Sequence, residues 1–130
     1  MSLTVVIADD DSDIRRLVTI SARRAGLEVV ADVADGDEAI EAIRRFIPDL
    51  AILDVAMPGL TGVEICELVR ADPALAGVRV LLLSASAGEN AIEAGLAAGA
   101  VDYLPKPFSP RELTGRLAIY SGQATSGQPT

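Results

Sequence analysis

The sequence predicts an open α/β fold, a parallel sheet with helices on both faces in three αβα layers. Three observations carry this. Half of the 130 residues are hydrophobic but only 3% are aromatic. The core must therefore be built from Val, Ile, Leu and Ala, as in strands buried on both faces. The apolar pattern alternates between short β-branched runs and helical spacing. Alternating strand–helix units imply parallel strands joined by right-handed crossovers. The length fits one domain able to bury its own core.

Leu3 to Ala8 reads as the first strand and stops at Asp9-Asp10-Asp11. Ile14, Leu17, Val18, Ala22 and Ala25 then recur at helical spacing, with Ser12 as the expected N-cap and Gly26 just past the end. Leu27 to Ala34 is a second strand. Asp35 and Glu38 sit at capping-box spacing before a helix marked by Ile40, Ile43, Phe46 and Ile47 and closed by Pro48. Leu50 to Leu53 is an apolar third strand ending on Asp54. After Met57-Pro58-Gly59, a third helix runs from about Thr61 to Ala71, with Ile65, Leu68 and Val69 on one face, and stops at Asp72-Pro73. Val78 to Leu83 is a fourth strand ending at Ser84. An Ala- and Gly-rich helix follows from about Gly88 to Ala98, weakened by Gly95, which costs about 1 kcal/mol relative to Ala. Val101 to Leu104 is a short fifth strand. Pro105-Lys106-Pro107 leads into a last helix from Pro110 to Tyr120, with Ser109 as its N-cap and Pro110 at the first helical position. The expected domain thus spans residues 1–120. The segment 121–130 is Gly, Ser, Thr, Gln and Pro and reads as a flexible polar tail or linker. Such a tail favours a chain cut from a longer one.

Composition narrows the function. The formal net charge is −8, from 11 basic and 19 acidic residues. Direct nucleic-acid binding is not expected, because phosphate contacts need an excess of Lys and Arg. One cysteine, Cys66, allows no disulfide within the chain and leans towards a reducing compartment. It reads as a small helix-face hydrophobe. With no histidine in the chain, any metal must be a hard cation bound by oxygen. No apolar run approaches a membrane span and no signal peptide precedes the first strand. No membrane role and a cytoplasmic location are the expectations.

In open parallel sheets the ligand site lies beyond the carboxyl ends of the strands. There this chain places Asp9 and Asp10, Asp54, Ser84 and Lys106. A nucleotide-binding turn would carry glycines after the first strand. Three aspartates would instead repel phosphate unless a divalent cation stood between, and Mg²⁺ fits a site of carboxylates plus phosphoryl oxygens. Asp54 is the candidate nucleophile, able to form an aspartyl phosphate. Such a transfer needs positioning and charge neutralisation more than acid–base work. Lys106, the one lysine of the chain, and the Ser84 hydroxyl would hold phosphoryl oxygens. Asp9 and Asp10 also suit the positive end of the first helix, but Asp11 and Ser12 already serve there.

The chain resembles the receiver domain of two-component response regulators. The matching segments are Val5-Val6-Ile7-Ala8-Asp9-Asp10, Leu53-Asp54-Val55-Ala56-Met57-Pro58-Gly59, Ser84-Ala85, Ala98-Gly99-Ala100, and Tyr103-Leu104-Pro105-Lys106-Pro107-Phe108. They cover residues 4–120 in the expected order. The resemblance implies a flavodoxin-like sheet in the order 2-1-3-4-5. It implies phosphorylation on Asp54 by a histidine kinase or phosphotransfer protein. Mg²⁺ would be bound by Asp10, Asp54 and the backbone carbonyl of Ala56, with Asp9 acting largely through water. Ser84 and Lys106 would contact the phosphoryl group, and Lys106-Pro107 would be cis. Ser84 and Tyr103 would form the switch, the hydroxyl moving towards the phosphoryl group and the ring turning inward. The face of the fourth helix, fifth strand and fifth helix would be read by a partner or support dimerisation, with an effector domain beyond the C-terminus. The protein would promote its own phosphorylation and dephosphorylation without being a turnover enzyme on a separate substrate. Three positions depart from the common pattern. Ser84 stands where threonine is commoner, Thr61 where an acid is common, changing the local cap, and Ala56 offers no polar side chain beside the metal.

The main alternative is a pseudo-receiver, an interaction module that is never phosphorylated. The intact acid cluster, Asp54 and Lys106 argue against it. A phosphatase of the haloacid dehalogenase type would need a second aspartate two residues after the nucleophile, where this chain has Ala56. A flavin carrier would need a Ser/Thr/Gly phosphate loop and aromatics.

Overall fold

The computed structural model describes residues 3–85 and 88–121. Its elements are β1 (Thr4–Ala8), α1 (Ser12–Arg24), β2 (Glu28–Val33), α2 (Gly36–Phe46), β3 (Leu50–Asp54), α3 (Gly62–Ala71), a 3₁₀ turn (Pro73–Leu75), β4 (Arg79–Ser84), α4 (Glu89–Ala97), β5 (Asp102–Pro105) and α5 (Pro110–Ser121). The strands pair in parallel in the order β2-β1-β3-β4-β5, as the resemblance implied. Beyond Ser121, the expected tail lies outside the described residues.

Alternation along the strands builds two cores. Val6 and Ala8 of β1, Ala51 and Leu53 of β3, and Val80 and Leu82 of β4 face α2, α3 and α4, where they meet Ile43, Ile65 and Val69. Val5, Ile7, Leu50, Ile52, Leu81 and Leu83 face the other way, towards Val18 and Ala22 of α1 and Leu113 and Leu117 of α5. Every residue of β3 is buried, as expected for a central strand covered on both faces.

The helix ends refine the sequence reading. Asp11, not Ser12, caps α1: its carboxylate accepts from the N–H groups of Asp13 and Ile14. Gly26 follows the helix at φ 88°, as expected. Asp35 caps α2 through the N–H of Glu38. The complete capping box is at α3, where Thr61 and Glu64 each accept from the other's backbone N–H. Two helices expose apolar residues that share their helical spacing with buried ones. Phe46 and Ile47 are 43% and 53% exposed, because α2 ends there with Ile47 in a left-handed conformation. In α3 it is Ile65, Cys66 and Val69 that are buried, while Leu68 is exposed.

One contact at the start of α2 bears on the site. The N–H of Gly36 donates to the carbonyl of Pro58 at 3.0 Å. A Cβ at position 36 would lie 1.8 Å from the carbonyl oxygen of Leu60. The loop that follows Asp54 is thus pressed onto the start of α2, and only glycine leaves room for it.

Candidate functional site

The sheet order reverses between β1 and β3, so the loops after these strands diverge and leave a crevice at their carboxyl ends. Asp54 is the last residue of β3, and Asp9 and Asp10 follow β1 directly. Asp9 is fully buried and Asp54 is 5% exposed, while Asp10 is exposed. One carboxylate oxygen from each of the three lies within 4.8 Å of the others.

Lys106 follows β5, and its backbone N–H donates to the Ser84 carbonyl at 2.7 Å. That bond and the parallel pairing of Ser84 with Pro105 aim the side chain back across the sheet. The ammonium lies 3.0 Å from Asp9 Oδ2 and 3.4 Å from Asp54 Oδ1. Lys106-Pro107 is cis. Asp9 is fixed further by the N–H of Asp11, which donates to Oδ1 at 2.9 Å.

The charges do not balance. One ammonium serves two buried carboxylates, with Asp10 at the rim. Burial, and then the neighbouring Asp9 charge, hold the Asp54 carboxyl above the usual aspartate range; Lys106 and the Ala56 N–H oppose this without cancelling it. Burial would lower Lys106, but its hydrogen bond to Asp9 and the charges of Asp54 and Asp9 outweigh it, and the ammonium is held above its ordinary value. Carboxylate oxygens so close together, carrying surplus negative charge, suit a hard divalent cation. The donor set fits Mg²⁺.

The crevice therefore gathers Asp9, Asp10, Asp54 and Lys106, as the strand-end rule predicted. Ser84 is buried at the end of β4. Ala56 is exposed in the loop after β3. Tyr103 lies one strand further out, 6% exposed and packed in the core beneath α4. Arg15 was not anticipated. Its Nη1 donates to the Asp9 carbonyl at 2.8 Å and its Nε lies 3.6 Å from Asp32 Oδ1. The signal was its position, six residues after Asp9 and one turn into α1.

Residues 5–118 match the family described as the response regulator receiver domain. The chain belongs to this family. Over 117 residues it is 37% identical to the DNA-binding response regulator MtrA of Mycobacterium tuberculosis, covering 90% of this chain and 50% of that protein. Over 114 residues it is 40% identical to the transcriptional regulatory protein GltR of Pseudomonas aeruginosa, covering 88% and 47%. The receiver chain thus spans about half the length of the curated relatives it matches. Among solved structures, the chemotaxis response regulator CheY4 of Vibrio cholerae superposes with a TM-score of 0.84 at 32% identity, covering 92% of this chain and 99% of that one. Receiver domains of response regulators are signalling modules of two-component systems rather than turnover enzymes. Among the described residues no helix is long and apolar enough to cross a membrane.

Proposed function

We propose that this receiver domain is a phosphorylation-dependent switch that takes a phosphoryl group on Asp54. The observation that carries the reading is the Lys106 ammonium set between the buried carboxylates of Asp9 and Asp54 at the sheet's carboxyl edge. Asp54 is the nucleophile, its oxygen held at the mouth of the crevice by β3. As the Asp54 oxygen bonds to phosphorus and the bond from phosphorus to the donor breaks, an acyl phosphate forms and the Lys106 ammonium turns from Asp54 to the phosphoryl oxygens. The Ser84 hydroxyl donates to the same group. Asp9, Asp10, Asp54 and the Ala56 carbonyl would hold Mg²⁺, which would supply charge neutralisation for the transfer.

The donor is a histidine kinase or phosphotransfer protein, and the same site later releases the phosphoryl group to water. Ser84 and Tyr103 pass the change to the face formed by α4, β5 and α5. Two features suit this face to a partner or a second copy. Leu96 of α4, Val101 just before β5 and Ile119 of α5 are exposed, and Asp102 is held by Arg116 and Tyr120 at 2.6 and 3.0 Å. An effector domain beyond α5 fits the half-length match to longer regulators.

Intact mass after incubation with acetyl phosphate tests the reading. One added phosphoryl group is expected, dependent on Mg²⁺ and lost in Asp54→Asn. Stable modification of Asp54→Asn at the same stoichiometry would sink the assignment. No uptake and no Mg²⁺ binding would leave an interaction module that works without phosphorylation.

A further inference from the structure

Helix α4 is the most lightly held helix of the fold. Its N-cap is Gly88, with no side-chain hydrogen bond, and its one buried residue is Gly95. At the other end it is tied down: Arg70 of α3 donates to the carbonyl of Ala97, and Ala100 N–H returns to the carbonyl of Gly95. Glycine is the poorest helix residue after proline, so the one buried position of this helix carries its least helical residue.

The space around position 95 explains the choice. A Cβ there would lie 2.9 Å from Cδ2 and 3.3 Å from Cε2 of the Tyr103 ring, and 3.0 Å from Cδ1 of Leu82. Leu82 can give, since its methyl is the end of a flexible side chain. The ring is rigid and lies in the buried core, with β5 paired to β4 at Leu82–Tyr103. The large adjustment open to its own side chain is rotation about χ1, which carries the ring out from beneath the helix.

We propose that Gly95 is the positioning residue for Tyr103: the bare Cα at 95 admits the ring beneath α4, and a side chain there drives it out onto the α4–β5–α5 face. The proposal rests on the switch reading only for its consequence, that a partner senses where the ring lies. Gly95→Ala then shifts the resting position of the switch without touching the phosphoacceptor crevice.

The chain has two tyrosines and no tryptophan, so in a Tyr120→Phe background the emission comes from Tyr103 alone. Acrylamide quenching of that emission is expected to rise severalfold on Gly95→Ala. Unchanged quenching in a chain with native circular dichroism would overturn the proposal. A second arm covers a variant that folds poorly. Gly95→Ala is expected to lower the urea midpoint of the parent but to raise it in a Tyr103→Ala background, where alanine's helix preference is no longer opposed by the ring. Equal shifts in both backgrounds would overturn it. Both readouts follow the ring and the fold, not phosphoryl uptake, so loss of Asp54 chemistry would leave this test intact.

Discussion

Asp54 is a carboxylate kept where its charge is unwelcome. Its pKa in the folded chain is raised by burial and by Asp9, so between the ordinary aspartate value and the raised one the folded chain holds a proton that the unfolded chain has released. Stability from this group is then present at low pH and lost as pH rises through the folded pKa. Asp54→Asn, which cannot ionise, is expected to be more stable than the parent near neutral pH, with the gap closing on acidification. Urea denaturation across a pH series checks this; a less stable Asn variant at neutral pH would contradict it. Mg²⁺ should reverse the order, since a ligand at a hundred times its Kd stabilises the folded state by about 2.7 kcal/mol. The four charged residues of the crevice were legible because each stands at the end of a strand. The brace from Arg15 to the Asp9 carbonyl was not, since it depends on how a helical side chain folds back over its own turn.

At the scale of elements, periodicity located all five strands and all five α-helices. It does not show where a helix stops facing the sheet: Phe46, Ile47 and Leu68 share helical spacing with buried neighbours and yet are exposed. The 3₁₀ turn Pro73–Leu75 was also missed. Its Asp72 cap binds the N–H of Ala74, and that residue had read only as a helix stop. Caps and buried hydroxyls give measurable predictions. Thr61→Ala removes half of the reciprocal box at α3 and should cost about 1 kcal/mol. Ser21 of α1 is buried with its hydroxyl unpartnered, so Ser21→Ala should raise stability by about 1 kcal/mol. Calorimetry or urea titration would check both; a destabilised Ser21→Ala would mean that the hydroxyl has a bonded water. Gly36→Ala should unfold the chain or displace the loop after Asp54, because the Leu60 carbonyl occupies the place its methyl needs.

Across the whole molecule, rigidity is distributed unevenly. The end of the sheet away from the crevice is fastened: Thr4 N–H donates to Asp49 Oδ2 at 2.8 Å, Asp49 N–H returns to the Thr4 carbonyl, and Arg79 N–H donates to the Asp49 carbonyl. The crevice end carries the surplus charge, and α4 above β5 has one buried residue. Amide hydrogen exchange should therefore be slowest in β1, β3 and β4 and, among the helices, fastest in α4. An α4 as protected as β3 would show that more holds it than Gly95 and Arg70. A last consequence lies in the inventory of basic side chains. Lys106 is the chain's one lysine, and the other ten basic side chains are arginines. Reagents that acylate amines, whether fluorophore esters, cross-linkers or immobilisation surfaces, thus find a single side-chain target, and it sits in the crevice between Asp9 and Asp54. Acylation there would erase the charge that both carboxylates share. Within this chain a side-chain amine can be labelled only by consuming the ammonium that lies between those two carboxylates.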